Sequence, residues 1–441
     1  MRDSFLPFSP PCLGEEEIAE VVDTLRSDWI TTGPKVRRFE EEFAAFVGAP
    51  AALAVSSGTD AMLVALAALG VGPGDAVITT PMTFCSTVHV IEHLGATPIL
   101  VDVEPDTLNL DPRKVEEALA RWEDQPQTTD RGPQRTAVSG QRSAVGRRPS
   151  AVGGRIKALL PVHLYGHPCD MDALTEIARK HGLAIVEDAA HALPAKYKGR
   201  TIGSLPTADD GPQTAVGGLP SAVCFSFYAT KNLTTAEGGM LTGPPDLVEE
   251  ARIWSLHGMS RDAWKRYSAE GSWYYEVVRP GFKCNMTDIQ AALGLHQLRK
   301  LPQFQARRRE IVQRYHEAFS QWEELQVPTE RPEVEHAWHL YVLRLNLERF
   351  RPPAASGQPS AVRNRFIEEL RARNIGTSVH FIPVHLHPYY RDTYGYKPED
   401  FPVAYREYQR IVSLPLYPRM SDQDVQDVVN AVVEVVKQYR R

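Results

Sequence analysis

Short, almost uniformly apolar runs alternate with helical segments through roughly the first half of the chain, and this rhythm constrains the fold more than any other feature. The runs cover residues 51–55, 75–80, 96–103, 156–164, 183–186 and 223–225, with helical periodicity over 61–69, 87–94 and 171–180 between them. Strands apolar on both faces are buried on both faces, which is the signature of a mostly parallel sheet covered by helices. Two further helices precede the sheet. One, over residues 15–27, aligns Ile18, Val21, Val22 and Leu25 on one face; the next carries Val36, Phe39, Phe43 and Phe46. Beyond Gly243 the rhythm runs on through residues 246–257 and then becomes irregular. A loop at 281–288 leads into a helical tract over 289–319 that Pro302 is expected to interrupt. Strands at 340–345 and 378–380 with helices at 363–373 and 422–436 then read as a smaller α+β domain. At 441 residues the chain exceeds one ordinary core. The expected division is a large domain over 14–293 and a small one over 294–441, to which the segment 1–13 is assigned.

Three segments fall outside this rhythm. Residues 124–155 contain RSAVGRRPSAVGG, residues 207–221 contain TAVGGLPSAV, and residues 352–362 contain GQPSAV. The shared small peptide, poor in large apolar side chains, marks them as related low-complexity insertions into surface loops, which tolerate added length cheaply. An RNA-binding reading of Arg131, Arg135, Arg142, Arg147 and Arg148 lacks the interleaved aromatics that stack bases. Replacing residues 124–154 by a short Gly/Ser bridge is therefore expected to leave melting temperature and turnover nearly unchanged. A large loss of either would show that the segment packs.

A net charge of −6 argues against nonspecific nucleic-acid binding. The opening MRDSFLPFSPPCLGEEE has neither a basic start nor an apolar run, and no stretch is long and apolar enough to span a bilayer. Five scattered cysteines (Cys12, Cys85, Cys169, Cys224 and Cys284) form no CxxC pair and suit a reducing, cytoplasmic setting.

In a doubly covered parallel sheet, ligands bind at the carboxyl ends of the strands. Four chemically distinct groups fall at such ends. Ser56-Ser57-Gly58-Thr59 opens a helix whose N-terminal amides can take a phosphate, although simple N-capping explains the same residues. Pro81-Met82-Thr83-Phe84 leaves an aromatic ring after the second strand. Glu187 and Asp188 are adjacent in a strand, so only one can face the crevice; Asp188 is the candidate, with a helix cap as its alternative. Lys231 lies in a turn between two apolar strands within residues 222–243, where desolvation would leave part of its amine neutral and nucleophilic; a plain surface lysine is the alternative. A phosphate site, a flat ring's stacking partner, a carboxylate and a reactive amine together match pyridoxal phosphate. Ser226, just before the lysine, can reach its phosphate.

The strings SSGTDAM, PMTF, VHLYGHPCDMDAL, VEDAAHA, FSFYATKNLTTAEGG and GFKCNMTDIQAALG, in this order, resemble the DegT/DnrJ/EryC1/StrS family of pyridoxal-phosphate-dependent nucleotide-sugar aminotransferases. The resemblance covers nearly the whole chain outside the three insertions. It implies an α/β architecture of fold type I, like aspartate aminotransferase, and a homodimer with shared active sites. It implies that Lys231 anchors the cofactor and shuttles the proton, that Asp188 holds the pyridine nitrogen, and that His191, a position where the family has Gln or His, lies near the ring hydroxyl. Phe84 would stack on the ring, and Gly58, Thr59 and Ser226 would hold the phosphate. Asn285 would reach the phosphate of the partner's cofactor, and His380 would lie near the sugar. The opening residues and the segment LHGMSRDAWKRY look most like members acting on UDP-linked 4-ketosugars in surface-glycan pathways, with glutamate as the amino donor. Two rivals are a sugar dehydratase, whose relatives carry histidine in place of this lysine, and a regulatory protein that keeps the fold without turnover. His380, His385 and His387 are set aside as a metal site because of their loop context, with Pro383 and Pro388, and the lack of nearby Asp or Cys, and His163 and His167 with Cys169 are set aside likewise.

Overall fold

A computed structural model describes residues 2–123, 154–204, 219–260, 274–353 and 360–441. Its strands are β1 Ala51–Val55, β2 Ala76–Thr79, β3 Thr97–Leu100, β4 Ile156–Leu159, β5 Ala184–Asp188, β6 Lys196–Tyr197, β7 Arg200–Thr201, β8 Ser221–Ser226, β9 Gly239–Gly243, β10 Leu325–Gln326, β11 Val334–Glu335, β12 Tyr341–Leu345 and β13 Ile411–Leu414. Its helices are α1 Glu15–Arg26, α2 Pro34–Val47, α3 Gly58–Ala68, α4 Ser86–His93, α5 Pro112–Glu123, α6 Met171–His181, α7 Pro245–Ser255, α8 Asp288–Phe319, α9 Ser360–Ala372, α10 Pro388–Tyr394, α11 Pro402–Tyr408 and α12 Asp422–Tyr439.

Seven strands form the main sheet in the order β1-β9-β8-β5-β4-β2-β3. Pairs β2/β3, β2/β4, β4/β5 and β5/β8 are parallel, while β9 runs antiparallel to both β1 and β8. All strands but β9 therefore point the same way, and their carboxyl ends share one edge. This is the expected α/β architecture. Helix α3 is apolar nearly all round and buries Ala61 to Ala67 against the sheet, because it passes through the interior and not along the surface.

A second core joins α8, α9, α12 and the three-stranded sheet β10-β12-β13. Leu6 belongs to it and pairs with Ile375, so the N-terminal segment packs with C-terminal elements. The proposed boundary at residue 294 lies inside α8, which is continuous for 32 residues.

Several expected boundaries move. Helix α8 runs unbroken through Pro302. Buried Leu298, Leu301 and Phe304 hold both sides of the proline, and a long packed helix can lose one ladder bond without breaking. The run 156–164 is strand only as far as Leu159; the chain then passes Pro161, which cannot donate to a ladder, and turns at Leu164–Gly166. The run 96–103 narrows to β3, while β5 extends two residues beyond the expected 183–186. Residues 378–380 are not a strand; Ser378 makes a single bridge to Ser413.

Of the three insertions, residues 124–153, 205–218 and 354–359 lie outside the described residues. Their expected edges do not all belong to loops. Ser221 is buried as the first residue of β8, and Ser360 to Val362 open α9 with Val362 buried. The Gly154 carbonyl accepts from Trp122 Nε1 at 2.9 Å, and the Arg155 carbonyl accepts from the Ala76 N–H at 3.0 Å. Of the segment LHGMSRDAWKRY, residues 261–267 also lie outside.

Candidate active site

The carboxyl ends of β1, β2, β5 and β8 present the groups expected there. At β8 the chain leaves the sheet through Phe225 and Phe227, both fully buried and packed on Phe43 at ring distances of 5.1 and 5.5 Å. The Phe227 N–H donates to the Gly238 carbonyl, and its own carbonyl accepts from the Thr235 N–H, so the loop is closed at its base. Lys231 sits in that loop, its N–H donating to the Tyr228 carbonyl at 2.9 Å. Burial pulls its ammonium pKa down to about 8, against the opposing attraction of Asp188. Near neutral pH a fraction of Lys231 is therefore free amine, and the plain surface alternative does not describe it.

Asp188, the last residue of β5, is 5% exposed. Its carboxylate accepts from Thr87 Oγ1 at 2.8 Å and from the Ala190 N–H at 3.1 Å. The second contact spans two residues and caps no helix. Glu187 points the other way, 2.7 Å from His163 Nε2. His163 Nδ1 accepts from the Cys169 N–H at 3.0 Å, and the Cys169 thiol donates to the Val162 carbonyl. This second group of polar side chains thus satisfies itself behind the sheet edge.

At the end of β1, Ser57 caps α3 by accepting from the Asp60 N–H, and the Asp60 carboxylate accepts from both Ser56 and Ser57 hydroxyls. The capping reading of SSGT is correct for Ser57. It leaves the first amides of α3, from Gly58 and Thr59, without helical acceptors. A side chain on Gly58 would come within 2.7 Å of the Ser226 Cβ, and one on Gly239 within 2.3 Å of the Ser57 carbonyl oxygen. Only glycines allow the α3 N-terminus to approach β8 and β9 so closely.

Rings close the remaining side. Phe84, 58% exposed, lies 6.1 Å from Phe381, and Phe381 stacks on His191 at 5.8 Å and 12°. His191 is buried, and its Nδ1 accepts from the Tyr165 N–H at 3.2 Å. Burial, then the charges of Lys231 and His380, hold its pKa well below the ordinary histidine value. His380 stacks on Phe8 at 5.3 Å, lies 2.8 Å from Ser413 Oγ through Nδ1, and has its pKa pushed down to about 4 by burial and Lys231. Asn285 stands apart from this cluster. It bridges to Val55, and its side chain donates through Nδ2 to Thr32 Oγ1 at 2.7 Å within its own chain while its Oδ1 accepts from Lys283 Nζ.

The residues suit pyridoxal phosphate on these observations: a desolvated amine, a buried carboxylate whose charge acts on it, and a glycine-lined helix N-terminus against a serine. Several participants were not singled out in the sequence. Thr87 reaches Asp188 while bonded to Thr83 at 2.8 Å. Tyr165, Phe381, His339 and Phe8 arrive from segments far apart in the chain. Asn232 had a signal, since it adjoins the lysine.

The family model described as the DegT/DnrJ/EryC1/StrS aminotransferase family matches residues 11–124 and 146–433. The gap between these spans lies within the first insertion. The chain is 49% identical over 438 residues to the spore coat polysaccharide biosynthesis protein SpsC of Bacillus subtilis, covering 99% of this chain and 98% of that protein. It is 47% identical to the protein MJ1066 of Methanocaldococcus jannaschii, with both chains fully covered. Spr1654 of Streptococcus pneumoniae, named as a sugar aminotransferase and solved in its PMP form, superposes with a TM-score of 0.80 at 34% identity, covering 98% of this chain and 99% of the other.

Proposed function

This chain belongs to the DegT/DnrJ/EryC1/StrS aminotransferase family and is a pyridoxal-phosphate-dependent sugar aminotransferase, and on that premise we propose that it aminates a UDP-linked 4-ketosugar for a surface polysaccharide, with glutamate as donor. The observation that carries the catalytic part is the convergence of the Lys231 amine, the Asp188 carboxylate and the neutral His191 ring at one sheet edge. The glycan setting is supported by the name of the Bacillus relative.

When bound, pyridoxal phosphate supplies an aldehyde carbon and an electron-withdrawing ring. The chain supplies the rest. Lys231 Nζ would hold the cofactor covalently and would serve as the group that carries a proton to and from the reacting carbon. The Asp188 carboxylate keeps the ring nitrogen protonated, and its own position is fixed by Thr87 and the Ala190 amide. Gly58, Thr59 and Ser226 would hold the phosphate, Phe84 would cover the ring, and His380 would lie near the sugar. A dehydratase reading fails on Lys231, which those relatives replace by histidine.

The deciding experiment offers UDP-, GDP- and dTDP-ketosugars in turn with glutamate and follows 2-oxoglutarate. Turnover is expected to be fastest with a UDP-4-ketosugar. If glutamate converts the cofactor but another nucleotide or keto position is preferred, the acceptor assignment falls while the enzyme class stands. If glutamate converts no cofactor, the donor assignment falls.

We further propose a cytoplasmic homodimer in which Asn285 of one chain serves the cofactor phosphate of the other. The loop 281–286 lies near exposed Val277 and Val278, apolar side chains suited to cover by a second copy. Mixing Lys231→Ala chains with Asn285→Ala chains, each poorly active alone, is expected to restore activity as subunits exchange. No recovery, with exchange demonstrated, would place Asn285 in the service of its own subunit, where it already bonds Thr32.

A further inference from the structure

Two buried histidines of the site face each other, and only one has a role assigned above. His339 and His191 lie with ring centroids 4.5 Å apart at 31°. The protons on both rings follow from their partners. Asn232 points its amide nitrogen at two carbonyls, Leu193 at 2.9 Å and Ala337 at 2.8 Å, so its Oδ1 faces His339 Nδ1 at 3.2 Å. An amide oxygen only accepts, so His339 Nδ1 carries the proton and donates. His191 Nδ1 instead accepts from the Tyr165 N–H, so on a neutral ring its proton is on Nε2.

These bonds form a circuit. The Tyr165 N–H reaches His191, and the Tyr165 carbonyl accepts from the His339 N–H at 3.1 Å. The His339 side chain donates to Asn232, the neighbour of Lys231. Asn232 donates in turn to the carbonyl of Leu193, two residues beyond His191. The Tyr165 backbone is held at φ 60°, a left-handed conformation that a tyrosine adopts only when its surroundings impose it. Among the described residues, the charges acting on the pair are those of Lys231 and His380, joined for His339 by Arg308; all are positive or become so and disfavour a second proton on either ring.

We propose that His339 is a positioning residue whose side chain, through Asn232, ties the Lys231 turn to the Leu193 carbonyl beside His191, while the Tyr165 N–H keeps the His191 proton on Nε2. His191 is then a fixed neutral donor, as an amide side chain would be, and the distance between that donor and Lys231 is set by the circuit. The inference rests on the proposed roles of Lys231 and His191 but not on the identity of the sugar.

The test begins with 15N NMR of histidine-labelled protein freed of cofactor, with His191 and His339 assigned by His191→Gln and His339→Gln. The two rings are expected to be opposite tautomers, His339 protonated on Nδ1 and His191 on Nε2, and neither should titrate between about pH 6 and 8, where an unperturbed histidine would. Equal tautomers, or an imidazolium in that range, would overturn the proposal without touching the enzyme class. The second arm loads His339→Phe, which keeps a ring against His191 but cannot donate to Asn232, and measures the glutamate half-reaction. Cofactor content is expected to stay at the wild-type level and His191 to keep its Nε2 proton, since the Tyr165 N–H is untouched, while the rate falls at least about tenfold because small misplacements of reacting groups are costly. A rate within about threefold of wild type, or a cofactor content that falls along with the rate, would reduce His339 to a packing residue. A wild-type protein inactive with every ketosugar leaves both readouts intact.

Discussion

Borohydride treatment of the holoenzyme is expected to fix the cofactor on one peptide, the one containing Lys231, and Lys231→Ala is expected to abolish turnover. The amine serves twice, as covalent anchor and as the proton carrier, and general acid–base catalysis alone is worth about 10²–10⁴-fold. Cofactor binding should survive in part through the phosphate and ring contacts. Recovery of the reduced cofactor on a different lysine would overturn the assignment. A stability measurement on the cofactor-free protein tests the same residue independently. Burial lowers the folded-state pKa of Lys231 from 10.5 to about 8, so between those values the unfolded chain binds the extra proton. Stability is therefore expected to rise with pH from about 8 to about 10.5 through this group, and to carry its full penalty below about 8. Lys231→Met removes the penalty, which a shift of this size bounds at about 3 kcal/mol, and should raise the melting temperature of the cofactor-free protein at neutral pH. A variant no more stable than wild type would mean that the amine is solvated.

Asp188→Asn should reduce catalysis by orders of magnitude with little effect on folding. The fold tolerates the change because of its neighbours. An asparagine oxygen can still accept from the Ala190 N–H, and its NH₂ can donate to Thr87 if the Thr87 hydroxyl turns to Thr83, 2.8 Å away. One rearranged hydrogen bond costs about 1 kcal/mol. Catalysis has no such substitute, since the carboxylate charge stabilises a protonated ring nitrogen and preorganised charge is usually the largest catalytic contribution. The same change removes the attraction that holds the Lys231 pKa up, so the free lysine should titrate below about 8 in the variant. Activity within about tenfold of wild type, or roughly 1.4 kcal/mol, would show that Asp188 only shapes its turn.

Much of this site was legible because its residues lie where strands end. Ser57, Gly58, Phe84, Asp188 and Lys231 each follow an apolar run, and in a parallel sheet that position alone sends them to one edge. Strand alternation also separated Glu187 from Asp188, and the two do take opposite sides. Asn285 shows the reverse. Its proposed service to a neighbouring chain comes from resemblance, while within its own chain it bonds Thr32 and bridges to Val55 at the end of β1.

By itself the sequence determined the alternating architecture and the lysine turn, because each is written in local composition and period. Only the tertiary structure decided that α8 continues through Pro302, that residues 378–380 leave the sheet, and that Thr87, Tyr165, Asn232 and His339 meet around Asp188, Lys231 and His191. These outcomes turn on partners up to 107 positions apart, as between Asn232 and His339. Such pairings are chosen by the packing of whole elements and by the need to satisfy every buried polar group, and no window of neighbouring residues encodes them.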